Sequence, residues 1–340
     1  MPTFFKKVPK GTVLFGTKKG QREPSPLASF CIFAREHNYI LMKSYRFFAA
    51  AIAVLASAPV FSQTVQGSVD EGFTIKAGDV TMTVSAKEGG KIMSYKYGDQ
   101  EMLSQLRMQN QYGSTFWTSP QKEWNWPPVT EFDRGAYTDE TPATDAGKSL
   151  VLTSQVARKL PFQIQKRYTP DPKGKFIKVA YTIVNKGDAE RKVAPWEISR
   201  VVADESALIF FDAPVDGITP AGLIPFKAEA GASWYSFEQA PQNRKINSDG
   251  KGWLAYAAGN LLMIKKFADL TPAQPAPDEA EIQVYVNQGK TYIELESQGE
   301  YKNLQPGESL TWEVVWYLVE LKEAPAPSKK LLDLVRKTIK

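Results

Sequence analysis

The sequence predicts an all-β protein, a large sandwich with one short helix at its C-terminus. Three observations carry this. About fourteen short runs are rich in β-branched and aromatic residues at a period of two. Turn signals separate them. No internal segment shows a convincing helical period.

In order, the runs are Thr74–Ala77, Val80–Ser85, Lys91–Tyr97, Leu150–Ser154, Phe162–Tyr168, Phe176–Val184 and Arg191–Val202. They continue with Ala207–Phe211, Ser233–Phe237, Trp253–Ala257, Leu261–Phe267, Ile282–Val286, Thr291–Glu296 and Leu310–Leu321. The turns between them include Glu88-Gly89-Gly90, Asp171-Pro172-Lys173-Gly174, Asn185-Lys186-Gly187-Asp188 and Gln305-Pro306-Gly307. No Gly/Ser linker interrupts the series, so residues 63–322 are read as one sandwich domain. Leu270–Pro277 is too proline-rich for a central strand and reads as a loop. Residues 323–340 form a Pro-rich linker and an amphipathic helix. Ser328 is the expected cap, and Leu331, Leu332, Leu334, Val335 and Ile339 share one face. That face either packs on the sandwich or binds a partner.

Residues 1–62 differ in kind. From Met42 the chain places Lys43 and Arg46 before the apolar run Phe47–Val60, then small residues before Gln63. This is the pattern of a secretory signal peptide over 42–62. The run is shorter than the roughly 20 residues a spanning helix needs. A retained anchor is the alternative, and membrane contact is expected only through that segment if it stays uncleaved. No Cys follows the run, so a lipoprotein site is absent. Residues 1–41 are either the product of a start codon called too early or a real extension. The expected destination is the periplasm or the exterior.

Processing changes the chemistry. The whole chain carries +5, and residues 1–62 hold nine Lys/Arg against two Asp/Glu, which leaves the remainder at −2. Nothing in that balance argues for nucleic acid as a partner. The only Cys (Cys31) and the only His (His37) also fall in the leader. The remainder therefore offers no Ser-His-Asp triad, Cys nucleophile, disulfide or His/Cys zinc site. It shows no EF-hand-like Asp-rich loop and no phosphate-binding Gly-rich loop, so no metal and no cofactor is expected.

The densest candidate site is Gly113–Pro128, GSTFWTSPQKEWNWPP. Three of the eight tryptophans (Trp117, Trp124 and Trp126) fall within ten residues, with Gln121, Glu123 and Asn125 among them. Flat rings beside hydrogen-bonding side chains suit a saccharide surface. A loop plugging one end of the core is the other reading. An extended backbone would put Trp124 and Trp126 on one face. Lys122 is expected to face solvent.

Several segments together resemble aldose 1-epimerase (galactose mutarotase-like) domains, and more closely an exported bacterial branch of that superfamily. They are Phe116-Trp117-Thr118-Ser119-Pro120-Gln121 with Trp124-Asn125-Trp126-Pro127-Pro128, Val179-Ala180-Tyr181-Thr182-Ile183-Val184-Asn185-Lys186-Gly187 and Ala194-Pro195-Trp196-Glu197-Ile198. Tyr292-Ile293-Glu294-Leu295-Glu296 and Leu304-Gln305-Pro306-Gly307-Glu308-Ser309-Leu310 complete the set. The likeness spans most of 70–320. It implies a β supersandwich with a sugar-sized cleft on a concave sheet face. It also implies two histidines near the sugar and a late glutamate as base. Here the corresponding stretch reads Pro195-Trp196-Glu197 without a His, so the proton donor for ring opening is missing. General acid catalysis supplies typically 10²–10⁴-fold, and its loss argues against mutarotation unless a Tyr, Lys or carboxylic acid has taken the role.

Glu294, Glu296 and Tyr292 lie at i, i+2 spacing, roughly 7 Å apart on one strand face. Glu294 takes the late position of the resemblance and is the candidate base, unless the pair is an ordinary solvated face. Trp196 and Arg200 share a face and form the candidate cleft pair, while Glu197 points the other way. Arg200 suits a carboxylate or sulfate on a sugar, or else a salt bridge at a sheet edge. The expected ligand is a saccharide or glycan, held by Trp117, Gln121, Trp124, Trp126, Trp196 and Arg200. If the protein is an enzyme, proton abstraction of epimerase or lyase type fits that set. A structural or partner-binding envelope protein is the alternative.

Overall fold

A computed structural model describes residues 64–107, 110–289 and 291–340. All lie in the second of two compact units, Ser57–Lys340. The leader 1–41 and the signal segment 42–62 lie outside the described residues.

Among the described residues, two large antiparallel sheets form the protein, one of eleven strands and one of ten. Alternation made the strands legible, and several match their expected bounds: Val80–Ser85, Lys91–Tyr97, Arg191–Val202 and Ile282–Val286. Leu270–Pro277 is a loop, as its prolines require. Besides strands of two or three residues, three described strands were not anticipated: Thr64–Ser68, Ser114–Ser119 and Arg244–Ser248. The second is buried at every position, so it has no alternation to read. The third is a short edge strand, whose three buried positions are Arg244, Ile246 and Ser248, of which only one is apolar.

The first sheet positions the site. Its central order runs Lys91–Tyr97, Ser114–Ser119, Arg191–Val202, Tyr292–Gln298, Ile282–Val286 and Arg244–Ser248. Phe116, Glu197, Ile293, Leu295 and Val284 face the second sheet and are fully buried. Phe116 stacks on Tyr181 of that sheet at 4.5 Å. On the far side of the second sheet, Leu331, Leu332 and Val335 of the helix Lys329–Thr338 pack with Phe210, Trp253, Ile264 and Tyr317. Ser328 caps the helix by accepting from the Leu331 N–H at 3.3 Å. Arg336 pairs with Asp212 at 2.8 Å, so the helix spends its apolar face on the sandwich.

The space between the sheets holds charges. Glu197 and Lys265 are 3.6 Å apart and both fully buried. Lys265 also donates to Ser199 Oγ at 3.0 Å and to the Leu295 carbonyl at 3.3 Å. Burial pushes the Glu197 carboxyl up, and Lys265 opposes it. Lys166 donates to the carbonyls of Gly89 and Gly90 at 2.6 and 3.3 Å. Its ammonium lies near the rings of Phe116, Tyr137 and Tyr181. Burial pulls Lys166 from 10.5 down to about 7, although the Asp133 and Glu197 charges oppose the fall.

Lys166 gives a pH signature. Between about 7 and 10.5 the unfolded chain binds the proton that the folded chain has lost, so stability rises with pH there. Lys166→Met is expected to flatten that rise in urea unfolding followed from pH 7 to 10. An unchanged slope would show that Lys166 titrates normally.

Candidate functional site

The cleft lies on the outward face of the first sheet. Antiparallel register puts Trp196 opposite Trp117, and Arg200 opposite Glu294. Glu294 in turn faces Tyr285, and Tyr285 faces Lys245. Residues directly opposite one another share a face, so these side chains project together. The cleft has a volume of about 410 Å³, within the range of small-molecule sites. Trp117, Gln121, Trp126, Trp196, Arg200 and Glu294 line it, joined by Asp133, Lys245, Tyr285, Tyr292 and Glu296.

Six of the seven residues singled out in the sequence thus meet in one cleft. The seventh, Trp124, does not line it. Asn125 adopts a left-handed backbone at φ 54°, which reverses the chain between the two rings. Trp124 turns inward, is 1% exposed and donates to the Thr118 carbonyl at 2.8 Å. Trp126 turns outward and is 69% exposed. The expectation that both rings share a face fails, because this segment is a 3-10 turn over Gln121–Glu123 rather than a strand. Glu123 lies in that turn away from the cleft, and Lys122 is exposed beside Asp278.

The tryptophans form one cluster. Trp117 meets Trp196, Trp124 and Trp126 edge to face at 5.3, 5.7 and 6.1 Å. Trp124 backs Trp196 at 6.4 Å. A buried indole N–H needs an acceptor, and carboxylates supply two of them. Trp117 donates to Asp133 at 2.9 Å, and Trp196 donates to Glu296 at 3.0 Å. Asp133 belongs to the short helix Thr130–Asp133 and also accepts from Thr115 at 3.0 Å. Gly89 lets that helix approach. A Cβ on Gly89 would lie 2.3 Å from the Asp133 carbonyl, and its φ is +72°.

Each cleft carboxylate has a cation. Arg200 Nε bonds Glu294 at 2.9 Å, Lys245 Nζ bonds Glu296 at 2.8 Å, and Arg134 lies 3.4 Å from Asp133. Burial pushes the Glu296 carboxyl up, Lys245 opposes this, and the Glu294 charge reinforces it. Lys245 also sits 4.8 Å from the Trp196 ring centre. The Arg200–Glu294 pair is an internal one across two central strands, not a sheet-edge bridge. Arg200 Nη1 is buried and has no partner among the described residues.

Sequence reasoning missed Asp133, Lys245 and Tyr285. Asp133 sits in a single helical turn. Lys245 lies on a strand that was not recognised. Tyr285 lies on a recognised strand, yet its place in the cleft depends on pairing with Tyr292–Gln298.

No protein-family model and no curated protein matches the sequence. Solved structures do match the fold. A galactose mutarotase-like protein from Clostridium acetobutylicum aligns at a TM-score of 0.51 and 12% identity, over 76% of this chain and 99% of its own. A candidate aldose 1-epimerase from Escherichia coli K12 aligns at 0.53 and 13%, over 74% and 99%. Another from Klebsiella pneumoniae aligns at 0.52 and 14%, over 81% and 85%. The chain therefore has the mutarotase-like sandwich fold.

Asp133 ties the cleft to stability. Burial opposes its ionisation. The Lys91 charge, the Trp117 N–H, the Arg200 charge and the Thr115 hydroxyl outweigh it and hold the carboxyl below its ordinary 3.8. A depressed carboxyl stabilises the fold above its unfolded value and loses that contribution as pH falls through the folded one. Asp133→Asn is therefore expected to melt lower at pH 7 and to lose less stability than the parent below pH 3.8. Thermal melts across that range check it, and parallel curves would contradict it.

Proposed function

We propose that this protein is exported and that the cleft binds a carbohydrate. The observation that carries the reading is Trp126. It is the most exposed of the large apolar side chains in the described residues, and it stands at the mouth of a cleft floored by paired charges. An exposed indole costs solubility unless something stacks on it, and sugar rings present apolar C–H faces to flat aromatics. The floor supplies the complementary part. Carboxylates fixed by cations accept from hydroxyls, and the Arg200 guanidinium lines the same floor. The mutarotase-like relatives in fold favour the same ligand class.

Binding without epimerisation is the reading the side chains favour. His37 is the only histidine of the chain and precedes the sandwich. Both cleft glutamates are engaged by cations. Glu294 accepts from Arg200, which positions it to hold a hydroxyl.

Titrating intrinsic tryptophan fluorescence with a panel of saccharides tests the proposal. At least one is expected to perturb the signal at millimolar concentration. Trp126→Ala should weaken that ligand by about 1 kcal/mol, or roughly fivefold. A panel that leaves the fluorescence unchanged would sink the proposal. Proton–deuterium exchange at the carbons of the bound sugar separates binding from turnover. No exchange is expected in the parent. Exchange that disappears in Glu294→Gln would instead make Glu294 a base.

A further inference from the structure

We propose that the cleft continues into a second saccharide subsite, so that the ligand is an oligosaccharide or polysaccharide chain and not a single sugar. This rests on the carbohydrate reading above and extends it along the sheet. A second depression of about 350 Å³ adjoins the cleft. Gln121, Trp196 and Lys245 line both, so the two share one row of side chains.

The strand register explains why they are continuous. One outward row across the sheet reads Arg200, Glu294, Tyr285, Lys245. Two residues along each strand, the next outward row reads Ile198, Glu296, Gln283, Asn247. Side chains two apart share a face and rows lie roughly 7 Å apart. Glu296 belongs to the cleft, and Gln283 and Asn247 belong to the second depression. The same sheet face therefore presents polar groups past the end of the first site.

The lining of the second depression has the chemistry of a sugar subsite without a strong charge preference. Asn247 is a half-buried amide able to donate and accept, and Gln283 opposite it is buried and donates to the Ala280 carbonyl at 3.5 Å. Lys122 and Asp278 face each other at 3.5 Å across its exposed rim. Glu279 fixes the wall. It accepts from the Gln121 backbone N–H at 2.7 Å and is bonded by Ser119 and Gln298. Those bonds tie the loop after Pro277 to the turn that carries Gln121. Neutral amides and a paired rim suit hydroxyl-rich rings better than an anionic group. An occupant of the first site that carried a glycosidic extension would pass over Lys245 and Trp196 into this space.

The test is calorimetric titration with malto-, cello-, xylo- and galacto-oligosaccharides of one to six residues. In the series that binds, affinity is expected to rise about tenfold from monosaccharide to trisaccharide. Asn247→Ala and, independently, the surface change Lys122→Ala should bring the trisaccharide down toward the monosaccharide value, with melting temperatures near the parent's. A monosaccharide that binds as tightly as its trimer overturns the second subsite and leaves the carbohydrate cleft standing. So does a length gain that both variants retain. If no series binds at any length, the carbohydrate reading itself fails, and the extension fails with it.

Discussion

The alternation of one strand governs this molecule. Arg191–Val202 lies at the centre of the first sheet, between Ser114–Ser119 and Tyr292–Gln298. Trp196 and Arg200 leave it on the outward side, and Glu197 and Ser199 leave it toward the second sheet. Each side carries a charge that has its own partner, Glu294 for Arg200 and Lys265 for Glu197. A slip of one residue would exchange the two sets. It would leave Lys265 facing a guanidinium and move Glu197 into the cleft. Ordinary strands have their register fixed by burial on one face. Here two ion pairs on opposite faces fix it together.

The same economy shapes the cleft floor. Glu296 is 1% exposed, and burying a carboxylate is costly unless it is paired and hydrogen-bonded. Lys245 and the Trp196 indole together meet that need. Trp117 and Asp133 repeat the arrangement on the other flank. Two indoles are thus fixed in orientation by carboxylates that are themselves held by cations. The rings and the charges cannot be rearranged separately, so the cleft is organised before any ligand arrives. Preorganisation of this kind lowers the ordering cost of binding.

The parts legible in the sequence were those that depend on neighbours along the chain. The strand 191–202 and the shared face of Tyr292, Glu294 and Glu296 follow from residue type and a period of two, and the helix after Ser328 follows from its cap and helical spacing. The parts that were not legible depend on pairing between distant segments or on a single backbone angle. Lys245 reaches the cleft only because Arg244–Ser248 pairs with Ile282–Val286. Asp133 reaches Trp117 only because Gly89 admits its helix. The fates of Trp124 and Trp126 diverge at the φ of Asn125, where periodicity assumed an extended chain. Composition pointed to the stretch and could not say which ring faces out.

The fold and its chemistry are separable here for a physical reason. A sandwich of this kind needs alternation, turns and a packed interior, and many sequences supply those, which is why 12–14% identity suffices for the shared architecture. Sugar epimerisation needs in addition an acid poised over the ring oxygen. That acid acts on the transition state, and only interactions stronger there than in the ground state accelerate a reaction. On the proposed reading, stacking on Trp126 and hydrogen bonds to ion-paired carboxylates would act on the ground state as well. Neither of them requires a histidine. On the proposed reading, a cleft stripped of its acid is therefore still a complete binding site. Its specificity then rests on how much of the ligand chain the outward rows of the sheet can touch.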